Sequence, residues 1–345
     1  MKIRVVIGTW VVFVVLVTAN LFPGHAQKVM SGPPTRQASS TQPSAPEGGP
    51  VLPPVMDEGT RFNPLKIALL KWFLFDSTAP VPVGTQPIGV CFDGANIWTA
   101  NYGDSTVTKV RASDGQVLGT FNVGANPFGV TFDGANIWAT VGTSMVAKLR
   151  ASDGKLLGTF PTGNASEWMT FDGQNIWVAN GGDNTVSKLR AADGKTLGTF
   201  PVGNAPFAMA FDGAAVWSAN YGGGTVTKLR ASDGKLLGTF QVGYGSAGIA
   251  FDGADMWVAN RNSDTVTKLR ASDGAVLGTF TTLGPPYGMA FDGTYLWVSG
   301  DLYLEVLRAS DGTVVASLKL QSEGIAFDGA YIWTAVQGGN SLFRF

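Results

Sequence analysis

Side chains able to exchange protons near neutral pH are scarce in this chain. Its only histidine is His25 and its only cysteine is Cys91. His25 falls in an N-terminal stretch with the composition of a leader, so the processed chain is expected to carry no imidazole. That argues against histidine general bases, Ser-His-Asp triads and histidine metal sites together. Cys91 occupies a repeat position held elsewhere by Thr131, Thr170, Ala210, Ala250, Ala290 and Ala326, all small. It reads as a buried small residue, neither a nucleophile nor half of a disulfide. Carboxylates remain. Most lie in Asp-Gly dipeptides, where turn formation accounts for them. Glu167 and Glu323 do not; they share one repeat position and would form an acidic pair, though nothing in the sequence fixes their separation or shifts either group. No Asp-x-Asp-x-Asp-Gly run occurs, so calcium would depend on loop oxygens such as those of Asn180-Gly-Gly-Asp183-Asn184. No catalytic residue, metal ligand set or cofactor is assigned.

The frame that must position these groups is a repeat. Phe-Asp-Gly begins at Phe92, Phe132, Phe171, Phe211, Phe251, Phe291 and Phe327, at intervals of 40, 39, 40, 40, 40 and 36 residues. Within each unit the apolar runs are short, rich in Val, Ile, Phe, Trp and Thr, and bounded by Gly, Asp and Asn, which is the signature of strands. Four runs recur: A ending at Phe-Asp-Gly (Phe207–Phe211), B (Ile176–Ala179), C (Thr185–Leu189) and D (Thr196–Phe200). Asp-Gly between A and B in all units, and between C and D in six, predicts hairpins with type I′ turns. Four antiparallel strands per 40 residues without helices predict an all-β, seven-bladed propeller. Trp98, Trp138, Trp177, Trp217, Trp257, Trp297 and Trp333 recur once per unit and are assigned to packing between blades. The last unit ends inside strand C at Phe345, while Val81-Pro-Val-Gly84 matches the end of strand D at Phe200-Pro-Val-Gly203. An N-terminal strand is therefore expected to complete the last blade and close the ring.

The A–B and C–D turns then share one face, and the variable B–C and D–A loops the other, where a binding site can be built. The position after Trp-x-x-Asn holds Tyr102, Gly142, Gly181, Tyr221, Arg261, Asp301 and Gln337. The position four before each Phe-Asp-Gly holds Ile88, Phe128, Glu167, Phe207, Ala247, Tyr287 and Glu323. Together they predict aromatic and charged side chains around the channel mouth. Trp168, where other units have Gly or Ala, is the sharpest departure and joins the candidate site.

Residues 1–26, with Lys2 and Arg4 before an apolar run from Val5 to Phe22, read as a signal peptide, with an uncleaved membrane anchor as the alternative. Residues 27–60, rich in Pro, Ser, Gly and Gln, read as a disordered linker. Residues 61–77 read as a short apolar helix and connector, expected to dock on the ring, with a membrane surface or a partner as the other destination. Residues 78–345 are assigned to the propeller. With Lys2 and Arg4 removed, 24 basic residues become 22 against 25 acidic, a charge of −3 without a basic block, which disfavours nucleic acid as a partner. The Lys and Arg of strand C (109, 148, 188, 228 and 268; 111, 150, 190, 230, 270 and 308) are expected on solvated outer rims, each Arg pairing locally with a turn Asp. The chain is expected to be a monomer with a protein, peptide or glycan partner.

The recurring FDGANIWVANxGDNTVTKLRASDG…LGTFxVGxxPxGxAFDG resembles the bacterial YVTN/NHL-type β-propeller repeat family, including YncE-like secreted proteins, over residues 78–345. The resemblance implies a seven-bladed extracytoplasmic protein, a secreted or periplasmic, non-enzymatic binding scaffold. The same superfamily includes virginiamycin B lyase, whose catalytic histidine has no counterpart here. Gluconolactonase-like propellers hold a metal in the channel through acidic and amide side chains. A metal-dependent lyase or lactonase-like hydrolase is thus the alternative, with Glu167 and Glu323 as candidate ligands. The C-to-D stretch Lys228–Leu237 is also similar to repeats of quinone-cofactor dehydrogenases, but their Trp is Gly238 here, which implies no quinone site.

Overall fold

The computed structural model describes residues 79–345. The proposed signal peptide, linker and short helix lie outside the described residues. Seven four-stranded antiparallel sheets follow one another around a ring. Blade 3 is representative, with strand A at Ser166–Phe171, B at Asn175–Asn180, C at Thr185–Arg190 and D at Thr196–Pro201. Blades 1 and 2 precede it at 87–122 and 130–161; blades 4, 5 and 6 follow at 206–241, 246–281 and 286–318. Each sheet runs in the order A-B-C-D, and each strand A packs on strand A of the next blade, so A is innermost. Blade 7 takes its A, B and C strands from 325–344 and its fourth from Val81–Pro82. The register there is Val81 opposite Leu342 and Pro82 opposite Ser341. The ring closes as the two chain ends require.

One polar cluster recurs in each blade and explains both Asp-Gly and Trp. In blade 3, Asp172 Oδ1 accepts the backbone N–H groups of Gln174 and Asn175, and Oδ2 accepts the indole N–H of Trp177. All seven indoles make this bond, at 2.7 or 2.8 Å. A charged acceptor on a buried donor is among the stronger hydrogen bonds, and it lets each indole be buried without an orphan N–H. The Trp177 ring then carries Lys188 Nζ, 4.9 Å from its centroid. That ammonium also donates to the carbonyls of Ala231 and Ser232 in the C–D turn of the next blade, at 2.6 and 3.1 Å. Lys109, Lys148, Lys228 and Lys268 repeat the arrangement on their own blades, each over its Trp and bonded to the next blade's turn. At the closure Arg344 replaces lysine, lying over Trp333 and donating to the carbonyls of Ala112 and Ser113 in blade 1.

Two expectations are corrected. The strand C lysines are not on a solvated rim: Lys148 and Lys188 are each only 6% exposed. An ammonium held between an indole face and two carbonyls is solvated by the protein instead of by water. The arginines do lie outside, paired with the Asp three residues on, both partners roughly half exposed, as in Arg190–Asp193. The hairpins are present, but their turns are not type I′, which needs two residues at positive φ. Only the glycine has it, as at Gly173 (φ 95°) and Gly194 (φ 75°). The Asp carboxylate accepts amides two and three residues on and closes the loop without a second left-handed residue. Gly194 has a further reason to be glycine: a Cβ there would lie 2.2 Å from the Phe160 ring of the preceding blade.

Removing one carboxylate should therefore uncouple a hairpin, an indole and a blade joint together. Asp172→Ala is expected to lower unfolding free energy by roughly 2–4 kcal/mol, and Trp177→Phe to cost less in that background than alone. Urea unfolding of the two single variants and the double variant measures this coupling; a cost near zero for Asp172→Ala would contradict it.

Candidate functional site

The first residues of strands A and the first residues of the B–C loops meet at one end of the channel. Because the inner strands pack shoulder to shoulder, residues four before each Phe-Asp-Gly form a ring: Ile88, Phe128, Glu167, Phe207, Ala247, Tyr287 and Glu323. Aromatic edges link its members. Tyr102 of blade 1 meets Phe128 at 6.3 Å between centroids, Phe128 meets Phe207 at 6.3 Å, and Phe207 meets Tyr221 at 5.9 Å. The first two are edge-to-face and the third is tilted, and such contacts fix the ring planes in addition to burying them.

Arg261, from the B–C loop of blade 5, ties the opposite side together. Its guanidinium stands 4.1 Å from the Tyr287 ring centroid, pairs with Asp301 at 3.1 Å and donates to Tyr221 Oη at 3.4 Å. Tyr221 in turn donates to Asn262 Oδ1. Between this group and blade 3 opens a cavity of about 350 Å³, walled by Glu167, Phe207, Tyr221, Arg261 and Tyr287 and by the small residues Ala165, Gly181, Gly182 and Ala205 with Pro206. The small residues were not singled out from the sequence; their only signal was the absence of side chains in loops that carry Tyr or Arg elsewhere.

The carboxyls of the mouth are not ordinary ones. Burial pushes Glu167 up to about 7. Burial and the negative charge of Asp301, partly offset by Arg261, push Glu323 up to about 9. Glu323 is 1% exposed, and neither carboxyl oxygen has a hydrogen-bond partner among the described residues. Burial likewise raises the Tyr287 hydroxyl, so it stays protonated. A third buried acid, Glu305, is raised to about 7 by burial, but its Oε1 accepts the N–H of Leu283. That is the service Asn180 Oδ1 gives Gly163 in blade 3, so Glu305 replaces a structural Asn.

Of the ten residues nominated from the sequence, five line the cavity: Glu167, Phe207, Tyr221, Arg261 and Tyr287. Tyr102 and Phe128 extend its aromatic wall, Asp301 holds Arg261, and Glu323 stands close to Asp301 and Tyr287. Trp168 is the correction. It is fully buried, points away from the ring position beside it, and packs on Phe128 at 5.3 Å and against Gly89 and Gly129 of blades 1 and 2. Strand alternation explains this: residue 167 faces the mouth, so residue 168 faces the inner strands of neighbouring blades. Cys91 is buried and its thiol raised by burial, consistent with an inert small side chain. No group of three or more metal-capable side chains occurs among the described residues.

Fold and site together define a seven-bladed β-propeller with a cavity at its loop-face mouth. No protein-family model matches the chain, nor does any curated protein sequence. Among solved structures it is similar to a chain of hydrazine synthase from Kuenenia stuttgartiensis, with a TM-score of 0.67 and 17% identity, covering 79% of this chain and 97% of that one. At that identity the likeness shows the fold alone.

The raised carboxyls have a consequence for stability. Folding lifts Glu323 above its unfolded value, so its contribution is fully present below about pH 4.5 and is lost as pH rises towards about 9. Glu323→Gln should therefore be more thermostable than the wild type near pH 9, with the gap closing near pH 5. A gap that is constant with pH would contradict a titrating Glu323.

Proposed function

We propose that the protein is a non-enzymatic binding propeller that holds a small ligand, or one exposed group of a peptide, glycan or protein partner, in its loop-face mouth. The cavity carries this reading: about 350 Å³, largely apolar walls, and a few convergent polar groups in Arg261 and Glu167. Those are the attributes of a ligand site, and the volume suits one sugar unit or one side chain more than an extended macromolecular surface. The resemblance of the repeat to YVTN/NHL-type propellers and the leader-like composition of residues 1–26 support an extracytoplasmic location. The recurring geometry of the turn face, where Asp–Trp bonds stand in all seven blades and Lys joins them in five, leaves the loop face as the variable one.

A binding screen of the intact protein on defined glycan and peptide arrays tests this, with Phe207→Ala and Tyr221→Ala as the altered sites. Retained ligands should weaken at least about tenfold in each variant, a loss of about 1.4 kcal/mol, while thermal unfolding stays cooperative. Ligands that bind the variants as well as the wild type would move the site off the mouth. The alternative, a carboxylate-metal hydrolase or lyase, draws on Glu167 and Glu323 standing in the same ring. Elemental analysis of the purified protein separates the two: stoichiometric metal lost on Glu167→Gln favours the enzyme, and its absence favours the binding module.

A further inference from the structure

The mouth carries more carboxyls than cations, and the surplus is built in. Arg261 is its one cation among the described lining residues, and Asp301 already answers it at 3.1 Å. Among the described residues none makes a hydrogen bond or ion pair with the Glu167 carboxyl group, which lies over Gly181; a Cβ at Gly181 would be 3.5 Å from Oε1. Glu323 likewise has no partner on either oxygen among the described residues. The placing of both acids follows a second pattern. Two residues after the repeat Trp, five blades carry Ala (Ala100, Ala179, Ala219, Ala259 and Ala335), whereas blade 2 carries Thr140 and blade 6 carries Ser299. Thr140 Oγ1 accepts the N–H of Gly129 in its own strand A and donates to the carbonyl of Glu167 in blade 3. Ser299 Oγ accepts from Gly288 and donates to the carbonyl of Glu323 in blade 7. The hydroxyl occurs in the blade before each acid and in no other, so the backbone of each carboxyl-bearing ring residue is pinned from behind.

We infer that the cavity takes an organic ammonium group, seated among Phe207, Tyr221 and Tyr287 against Glu167. This rests on the mouth being the binding site. Three aromatic side chains and a desolvated carboxylate are what an alkylammonium needs, since ring faces and an anion together replace its water. A neutral ligand would leave the acids holding their protons, and an anion would meet only an Arg261 already paired. The groups facing Glu323 are Asp301, Arg261 and Tyr287, with Tyr221 behind them. For Glu167, burial is what shifts its titration. In the free protein the surplus charge is quenched by protons; the ammonium takes their place, and binding releases protons.

The test is titration of the full-length protein with n-butylammonium, tetramethylammonium, n-butanol and butyrate, followed by calorimetry in buffers of different ionisation enthalpy. Ammonium affinity should rise about tenfold between about pH 6 and about pH 9, where Glu167 ionises and an amine of pKa about 10.4 remains charged. Protons should be released, and Glu167→Gln should lose that pH dependence while unfolding cooperatively. If Glu167→Gln does not fold, the wild-type proton count serves instead: about one proton released per ammonium bound near pH 6 supports the inference, and none overturns it. Preference for butylammonium points to a lysine side chain or chain terminus, and preference for tetramethylammonium to a choline-type headgroup; either supports the inference. Butanol or butyrate binding as tightly, or ammonium affinity flat or falling with pH, overturns the ammonium class and leaves the mouth as a site. No heat and no perturbation of tyrosine fluorescence with any probe overturns the ammonium inference and counts against the mouth itself.

Discussion

The ring depends on a carboxylate accepting an indole N–H. Each blade buries a tryptophan at its interface with the next, and a buried indole with an unmet N–H costs free energy that stacking alone does not return. The Asp of Phe-Asp-Gly meets that donor and, with its other oxygen, two backbone amides of the turn. The same indole then offers its face to Lys188 or its equivalent, whose ammonium reaches the neighbouring blade. One side chain thus couples a hairpin, a core residue and a blade joint. Blade 6 has Val306 where five blades have lysine and blade 7 has Arg344, and it omits the cationic link, but it keeps Asp292 on Trp297. The carboxylate–indole bond is the component common to all seven blades.

A frame secured on the turn face leaves the other face free to vary, and the variation there is coordinated. Gly181 makes room for Glu167, and Gly182 and Ala205 keep the cavity open beside Phe207. Arg261 occupies the position held by Tyr221 one blade earlier and Asp301 one blade later, so three successive loops supply a tyrosine, a cation and its anion. Because each loop starts from the same register, equivalent positions converge on the axis without any long loop reaching inward.

Much of this was written in the sequence, and what was not has identifiable causes. The blade count, strand order and closure by Val81–Pro82 follow from a period of about 40 residues and from the complementary ends, both properties of the chain taken singly. The lysines misled because a charged residue on an outer strand is normally solvated, and only the three-dimensional neighbour, a carbonyl pair some 43 residues on, makes Lys188 an internal group. The role of Arg344 is hidden in the sequence for the same reason, although it lies opposite Trp333 as Lys188 lies opposite Trp177. Trp168 was legible as unusual but not as buried: its departure from Gly or Ala is equally consistent with a ligand contact and with filling the centre of the ring. The ring positions of Glu167 and Glu323 were legible from alternation; their desolvation was not, since it depends on what surrounds them.

Those two carboxyls show how the frame and the mouth are connected. Placing desolvated acids at the centre of a ring works against folding, because each must either hold a proton or stand uncompensated. The strand A backbone beneath them would relieve this by shifting outward, and Thr140 and Ser299 oppose that shift by bonding strand A of their own blade to the carbonyl of the acid-bearing residue ahead. Both hydroxyls replace an alanine that sufficed in five other blades, so hydroxyl and acid changed as pairs across a blade joint. A loop drifting without constraint would vary at one position and leave its neighbour's inner strand alone. Paired departures from a nearly uniform repeat, twice over and in the same geometric relation, are the mark of a mouth whose charge is held in place against the pull of water.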